Sequence, residues 1–234
     1  MKKFLISVLS LIALISTTEI KAQPFFDTSD PDKFITFGAR LGFNTSNRSF
    51  PNANYTNKIL TTTWGLGFNV GAVANLNFKE YLTLQPGFFF ETRNSSLVNF
   101  NEVYNSAGKV ESQFVAKDGQ RSCKFTIPIV GVMKFNVTDD LKWNVDFGPY
   151  FQFNLSENGS QDHVKLFYWA GGFEPVEYTA KLRGFDVGLK MGTGLQLFKH
   201  YYIGVHYMAG LCNAWKLPEG GKNKSWMFTI GYDF

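Results

Sequence analysis

The sequence is poor in the residues that build disulfide scaffolds and metal centres. It has 2 cysteines and 3 histidines among 234 residues. Two cysteines exclude a disulfide-stapled fold and a cysteine-rich zinc module, and three histidines leave little material for a metal site. No metal or cofactor is therefore expected. The net charge of +4 is small and spread along the chain, which argues against nucleic-acid binding.

Long apolar runs are scarce as well. Beyond Ala22, no run approaches the about 18 apolar residues that indicate a transmembrane helix. Before it, Lys2 and Lys3 lead into the mainly apolar stretch 4–15, and a more polar stretch follows. This layout predicts a secretory signal peptide over residues 1–22, with an N-terminal membrane anchor as the alternative.

Aromatic residues and glycine are abundant, with 25 Phe, 10 Tyr, 5 Trp and 22 Gly. Residues 64–78, 141–155 and 184–197 alternate between apolar residues and Gly, Asn, Gln, Lys or Asp. Alternation with period two is typical of a strand with two different faces. These runs exceed the usual strand of about 5–6 residues, and a tilted strand crosses a bilayer with about 9–11.

Weaker alternation adds five further strands, which brings the number to eight. They cover residues 34–44, 81–93, 123–136, 201–211 and 225–234. Short links near 78–81, 136–141 and 198–201 alternate with long links near 45–63, 94–122, 156–183 and 212–224. Outer-membrane barrels have this alternation of short periplasmic turns and long extracellular loops.

The sequence therefore predicts an all-β fold, an eight-stranded antiparallel up-and-down transmembrane β-barrel over residues 34–234. A short periplasmic segment, 23–33, would precede it, and the protein would reside in the outer membrane. A soluble barrel such as a lipocalin is the alternative, because it also alternates. Its apolar face points inward and must fill the interior. Here the apolar face is nearly uninterrupted and ends in aromatics, which favours lipid outside.

Short motifs along the chain resemble the outer-membrane β-barrel domain common in Bacteroidota, the PorT-like "porin family" group. From the first strand to the last, they lie at 37–44, 82–87, 127–128, 148–150, 185–189, 192–194, 207 with 210–211, and 231–234. The resemblance implies an eight-stranded outer-membrane barrel and accounts for prolines inside strands. It implies no activity. PorT itself is associated with type IX secretion, so the resemblance admits a secretion accessory.

The inward face is predicted to carry a set of charged or titratable residues. They are Arg40, Glu91, Arg93, Lys124, Lys134, Asp146, Asp186, Lys190 and His206. An unpaired buried charge is costly, and eight strands leave an interior just wide enough for side chains. The expectation is therefore an internal network of paired charges that closes the barrel. A narrow solute channel is the alternative.

A lipid A-modifying barrel enzyme is the other alternative. A deacylase of that kind needs a Ser nucleophile, a His base and an acid. His206 is the His on a strand face, and Met208 stands two residues later, where a same-face Ser would serve. His163 is assigned to a loop and His200 to a turn. No Ser, His and acid are expected to share a face, so no catalytic residue and no enzyme activity are predicted.

Two aromatic sets suggest partners. The last strand alternates Trp226, Phe228, Ile230, Tyr232 and Phe234. This pattern is a candidate signal for the barrel-insertion machinery, with an ordinary apolar strand end as the alternative. The third long loop holds a candidate contact surface of Phe167, Tyr168, Trp169 and Phe173; alternatively these rings pack together or join the outer aromatic girdle. The expected partners are outer-membrane lipid, the insertion machinery and an envelope or secretion protein.

The two cysteines fall at the loop-side ends of the fourth and seventh predicted strands. Three strand steps of about 4.8 Å separate Cys123 from Cys212 around the wall, beyond the reach of a disulfide. They are therefore predicted to be unrelated thiols.

Overall fold

The computed structural model describes residues 24–49, 58–104, 110–158, 163–168, 176–181, 183–214 and 221–234. The predicted signal peptide lies outside the described residues. The strands are β1 Ile35–Ser49, β2 Lys58–Lys79, β3 Leu82–Tyr104, β4 Val110–Thr138, β5 Leu141–Asn158, β6 His163–Tyr168, β7 Val176–Lys181, β8 Phe185–Leu197, β9 Tyr201–Asn213 and β10 Lys222–Asp233. The described ranges contain no helix that is long and apolar enough to cross a membrane.

Eight of the ten strands close into an antiparallel barrel in the order β1-β10-β9-β8-β5-β4-β3-β2. The first and last strands form the seam, which runs from the pair Gly38–Asp233 to the pair Ser49–Lys222. Strands β6 and β7 form a separate two-stranded hairpin. The predicted eight-stranded antiparallel barrel is confirmed. The hairpin corrects the expectation of a loop over 156–183, and it places His163 in a strand.

The two ends of the barrel differ. At one end, the turn end, β2–β3 and β4–β5 are joined by the two-residue turns 80–81 and 139–140, and β8–β9 by the turn 198–200. Phe198 and Lys199 have φ values of 50° and 64°, a left-handed conformation that this tight turn imposes on non-glycine residues. Strand β1 starts and β10 ends here too. The longer connections lie at the opposite end, the loop end.

Strands β2, β3 and β4 are the longest described, with 22, 23 and 29 residues against 18 for β5 and 13 for β8. Pairing of β3 with β4 continues from Leu82–Met133 to Tyr104–Val110. At about 3.3 Å per residue, β3 is about 33 Å longer than β8. The predicted loop over 94–122 is therefore wrong. Beyond the bilayer both faces of a strand meet water, so the apolar alternation that marks a spanning strand is lost.

The strands are tilted strongly against the barrel axis. From Gly42, successive strand partners through β2, β3 and β4 lead to Asn154 on β5. The partners through β10, β9 and β8 lead to Asn144 on the same strand. The offset is 154 − 144 = 10 residues, in keeping with a tilt of about 35–45°. Residues that are not register partners therefore lie at the same height in the interior, where their side chains can meet.

The outer wall of the barrel is apolar. Phe37 and Leu66 are 61% and 65% exposed, and large apolar side chains on all eight barrel strands are exposed in the same way. The residues that alternate with them along the strands, such as Arg40 and Asn69, point inward and are buried. A continuous exposed apolar band of this size is not stable in water. The band excludes the lipocalin-type alternative and fits a lipid environment.

The residues before β1 form a strap along the rim of the turn end. The carbonyl groups of Phe25 and Ser29 accept hydrogen bonds of 3.1 Å from the N–H groups of Asn136 and Glu80. The rings of Phe25 and Phe26 pack on Phe135 of the outer wall, with centroid distances of 4.9 and 5.1 Å. The segment before the barrel is thus folded against it.

Candidate functional site

Glycine on the inner wall makes room for bulky polar side chains. A Cβ atom on Gly192 would clash with Nδ1 of His206 and lie 2.8 Å from Oδ2 of Asp146. A Cβ atom on Gly188 would clash with the ring of Tyr150. These glycines therefore have a packing role, since the large side chains of their register partners on the neighbouring strands lie over them.

The nine residues predicted to face the lumen lie on the inner wall. Eight of them are buried, and Lys134 is half-buried. Its ammonium group donates a hydrogen bond of 3.2 Å to Oδ1 of Asn77. The other eight fall into three clusters, at the middle, the turn end and the loop end of the interior.

The middle cluster centres on the carboxylate of Asp146. Nδ1 of His206 lies 3.1 Å from its Oδ2, and Nζ of Lys190 lies 3.8 Å from its Oδ1. On the other side of the imidazole, the hydroxyl group of Tyr202 lies 3.3 Å from Nε2 of His206. Nζ of Lys190 is also 5.9 Å from the ring centroid of Phe89. One carboxylate thus compensates an ammonium group and orients an imidazole.

The turn-end cluster links β1 and β10, the first and last strands of the barrel. Nη2 of Arg40 donates a 2.7 Å hydrogen bond to Oδ1 of Asp233, and its guanidinium carbon lies 4.6 Å from the ring centroid of Tyr202. Asp233 also accepts hydrogen bonds from Gln196 and Asn75, at 3.1 and 3.4 Å. Asp233 is not among the residues predicted to face the lumen. Its place between Tyr232 and Phe234 could have shown that it faces inward.

The loop-end cluster contains two of the buried cations. Arg93 donates a 2.9 Å hydrogen bond to Oε2 of Glu91, and its Nη2 lies 3.4 Å from the sulfur of Met208. Lys124 donates to Oε1 of Gln152 at 3.2 Å. Arg93 and Glu91 are thus paired as expected for buried charges, whereas the contact of Lys124 with Gln152 is to a neutral amide.

Asp186 completes the loop-end cluster. Its carboxylate accepts hydrogen bonds from Nδ2 of Asn223 and from the N–H group of Cys212, at 2.9 and 3.3 Å. Arg48 lies beside it, buried, and donates to Oδ1 of Asn223 at 3.3 Å. Arg48 was missed because the first strand was predicted to end at residue 44.

The interior is filled at mid-height. Val73, Phe89, Tyr150, Met208 and Met227 form a buried apolar cluster there, and Tyr150 is 0% exposed. Nearer the turn end, a polar cavity has room for about one water molecule. Within the described residues, the filled middle favours an internal plug over a channel.

The inner wall does bring a Ser, a His and an acid onto one face, so the expectation that none would share a face is wrong. Ser225 on β10 is buried, and its register partner on β9 is Met208, which is two residues from His206. However, both ring nitrogens of His206 already lie against Asp146 and Tyr202. Among the described residues, the hydroxyl group of Ser225 has no hydrogen-bond partner. Within this part of the chain, no base is therefore positioned to activate Ser225.

The two aromatic sets and the two cysteines are the remaining predicted features. The terminal aromatic series faces outward, and Phe234, at the turn end, is 67% exposed. In the candidate loop surface, Phe167 and Tyr168 belong to β6, but their side chains lie outside the description, as do Trp169 and Phe173 entirely. Both cysteines are free.

Valine in place of Gly192 is expected to destabilise the barrel. The added atoms would force Asp146 and His206 apart, at a cost of about 1–3 kcal/mol. Gly184→Val is the matched control, because a Cβ at Gly184 meets no described atom within 4 Å. The readout is the unfolding free energy from urea titration of protein refolded in detergent. Equal destabilisation by both variants would refute the packing account.

Deletion of Phe234 is expected to slow assembly more than it destabilises the finished barrel. The ring is exposed at the rim, so little apolar burial is lost, although the Phe234 N–H group donates 2.8 Å to the carbonyl of Phe37. We expect a lower outer-membrane yield in cells and an unchanged unfolding midpoint in detergent. Equal loss in both measurements would make the ring merely structural.

Comparison with curated proteins gives no match. Among solved structures, the chain is similar to the attachment invasion locus protein Ail of Yersinia pestis, at 14% identity over 86% of this chain and 100% of that one, with a TM-score of 0.41. It is also similar to OprG from Pseudomonas aeruginosa, at 12% identity over 91% of this chain and 99% of that one, with a TM-score of 0.43. For Neisserial surface protein A, the identity is 10% over 85% of this chain and 97% of that one, with a TM-score of 0.44.

A family model described as "Outer membrane protein beta-barrel domain" matches residues 21–215. This match covers most of the chain, and it agrees with the closed eight-stranded wall and its apolar outer band. Membership implies location in the outer membrane. The chain therefore belongs to the outer membrane protein β-barrel domain family.

Proposed function

We propose that this protein is a closed barrel of structural or interaction type that presents a β-sheet to a partner at the cell surface. The observation that carries the proposal is the pairing of β3 with β4 up to Tyr104–Val110, far beyond the ends of β8–β10. Short turns are periplasmic in outer-membrane barrels. The loop end, and with it the projecting sheet, then lies outside the cell.

The projecting sheet has the features of a binding surface. Its outermost part contains β2, β3 and β4, and β5 pairs with β4 only as far as Arg121. The strand edges beyond that point are unpaired within the described residues. Unpaired edges offer backbone hydrogen bonds to another chain. Ordering each residue of the sheet costs about 1–2 kcal/mol of backbone entropy, and no lipid contact offsets this cost.

The interior supports the same proposal. Its charges are engaged in hydrogen bonds and ion pairs, and its middle is filled, so the barrel acts as a rigid stalk. The proposal includes no chemical step. The resemblance to the PorT-like group makes an envelope or type IX secretion protein the partner class to test first.

The test compares the full protein with a variant in which residues 97–118 are replaced by Asn-Gly, joining the paired residues Ser96 and Gly119. We expect the variant to have normal outer-membrane yield and heat-modifiable gel mobility. In pull-downs from cross-linked and solubilised outer membranes, it should lose the partner protein that the full protein retains. Retention of every partner by the shortened barrel would contradict the proposal. So would steady conductance of the full protein in planar bilayers.

Sidedness is tested separately in a background that carries Cys123→Ser and Cys212→Ser. Asn99→Cys, in the projecting part of β3, should react with a membrane-impermeant maleimide in intact cells. Asp139→Cys, in a short turn, should react only after permeabilisation. The reverse pattern would place the sheet in the periplasm and overturn the surface-display proposal.

A further inference from the structure

Three neighbouring strand pairs of the wall each skip two positions of the ladder, although their register does not change. The skipped positions are 74–75 opposite 85–86, 87–88 opposite 127–128, and 129–130 opposite 148–149. Each gap contains one proline, and Pro86, Pro128 and Pro149 are the prolines of the described barrel strands. Because proline has no N–H group to donate, the backbone pairing is locally open there.

The three gaps form one continuous row, the proline row, across β2, β3, β4 and β5. On β3 the first gap ends at Pro86 and the second begins at Gly87. On β4 the second gap ends at Pro128 and the third begins at Ile129. Every other interruption of the described wall is accompanied by a shift of register. The lost pairing is therefore concentrated in one part of the wall.

The proline row lies within the apolar outer band. Phe88, Ile129 and Phe147, which border the row on the outer wall, are exposed. In lipid, no water replaces a missing backbone hydrogen bond, and proline in a sheet is otherwise confined to edge strands and bulges. This row is neither, because the barrel is closed and the register is constant. Fewer hydrogen bonds must be broken to part the strands here than elsewhere in the wall.

The interior behind the proline row is apolar. Val130, within the third gap, is fully buried. A Cβ atom on Gly87 would lie 2.9, 3.2 and 3.3 Å from side-chain carbons of Phe89, Val73 and Pro128. Apolar side chains from three strands therefore converge on the row. Val73 and Phe89 also belong to the apolar cluster at mid-height, so the row adjoins that cluster.

The surroundings of the row can make room for a narrow chain. The apolar cluster includes Met208 and Met227, whose flexible side chains adapt readily. On the outer wall, Gly131 borders the third gap, and a Cβ atom on it would meet one described atom within 4 Å, the carbonyl oxygen of Phe147 at 3.8 Å. This glycine leaves a notch in the lipid-facing surface. A thin, flexible apolar chain has the shape that such an opening admits.

We infer that the wall parts along the proline row and admits an acyl chain of a membrane lipid to the apolar cluster. Acyl chains surround the outer band, so the occupant is already beside the opening. A polar solute would lose its hydration in the lipid and gain little from apolar side chains. The barrel stays closed along its axis. The site is separate from the projecting sheet and does not depend on the proposed function.

The experiment places the full protein in vesicles of a phospholipid that carries a photoactivatable diazirine at the end of one acyl chain. After illumination, mass spectrometry of peptides locates the adducts. We expect adducts on Val130 and Met208, which face inward behind the row, and none on Ser225 and Thr229, which face inward beside the continuous seam. Absence of adducts from Val130 and Met208 would overturn the inference. Equal adducts on both sets would also overturn it, since the wall would then open everywhere.

The test variant restores the ladder donors by Pro86→Val, Pro128→Val and Pro149→Val, because valine suits strands. We expect about tenfold fewer inner adducts than in the natural protein, since opening then breaks additional hydrogen bonds. Heat-modifiable gel mobility confirms that the variant is folded. Inner adducts as frequent as in the natural protein would contradict the inference.

Two controls isolate the row. Pro24→Val with Pro31→Val changes prolines of the strap, outside the barrel strands, and should leave the inner adducts unchanged. A loss as large as in the test variant would refute a specific role of the row. The barrel shortened at residues 97–118 should keep its inner adducts, so the lipid site and the projecting sheet are tested independently.

Discussion

Replacing Asp146 with alanine is expected to lower the unfolding free energy of the barrel by about 3–5 kcal/mol, the cost of breaking a buried ion pair from one side. The carboxylate lies 3.8 Å from Nζ of Lys190 and 3.1 Å from Nδ1 of His206. Its removal leaves a buried ammonium group without its counter-ion in the middle of a packed interior. Urea titration of protein refolded in detergent, followed by gel mobility, measures the change.

Two further variants make this expectation specific. Asp30→Ala removes an exposed partner of Lys79, an ion pair at 2.6 Å with side chains 85% and 43% exposed; exposed pairs contribute about 0–1 kcal/mol. Adding Lys190→Met to Asp146→Ala should recover part of the stability, because the uncompensated charge is removed as well. If the double variant is no more stable than Asp146→Ala alone, the ion pair is not the cause of the loss.

Arginine at Val70, near the middle of β2 on the outer wall, is expected to cost about 2–4 kcal/mol in a bilayer. The same change at Leu189 on β8 should behave alike. Val137→Arg is the matched control, since Val137 is an exposed valine on the outer wall at the turn end, where the cost falls to about 0–1 kcal/mol. Unfolding titrations in phospholipid vesicles give these differences. Equal costs at Val70 and Val137 would contradict the assignment of the apolar band to the membrane core.

The faces of the membrane-spanning strands were predictable from the sequence. Lipid on one side and packed polar groups on the other impose a period of two, and neighbours such as Asn69 and Val70 then point to opposite sides. The number of strands in the wall followed from the same signal. Where the alternation ends in the sequence, so does the prediction: the upper parts of β3 and β4 lack a regular period of two, and residues 94–122 were predicted to be a loop.

The partners within the interior were not predictable in the same way. Arg40 and Asp233 are separated by 193 positions, and they meet only because the barrel closes and its strands are tilted. Arg93 on β3 and Met208 on β9 are on strands that are not neighbours in the wall, and they meet at 3.4 Å because the tilt brings them to one level of the interior. Alternation shows which residues enter the lumen, but the tilt of the barrel decides which of them touch.

The seam between β1 and β10 has a consequence for the order of assembly. Ribosomes produce β1 first and β10 last, so the pairs from Gly38–Asp233 to Ser49–Lys222 form only after synthesis of the whole chain. Contacts of such long sequence separation carry a large loop-closure cost and form slowly. Until then, the chain is an open sheet with two free edges, a form prone to aggregation. Chaperoning must therefore shield both edges together, and a chain truncated before β10 would never lose its need for it.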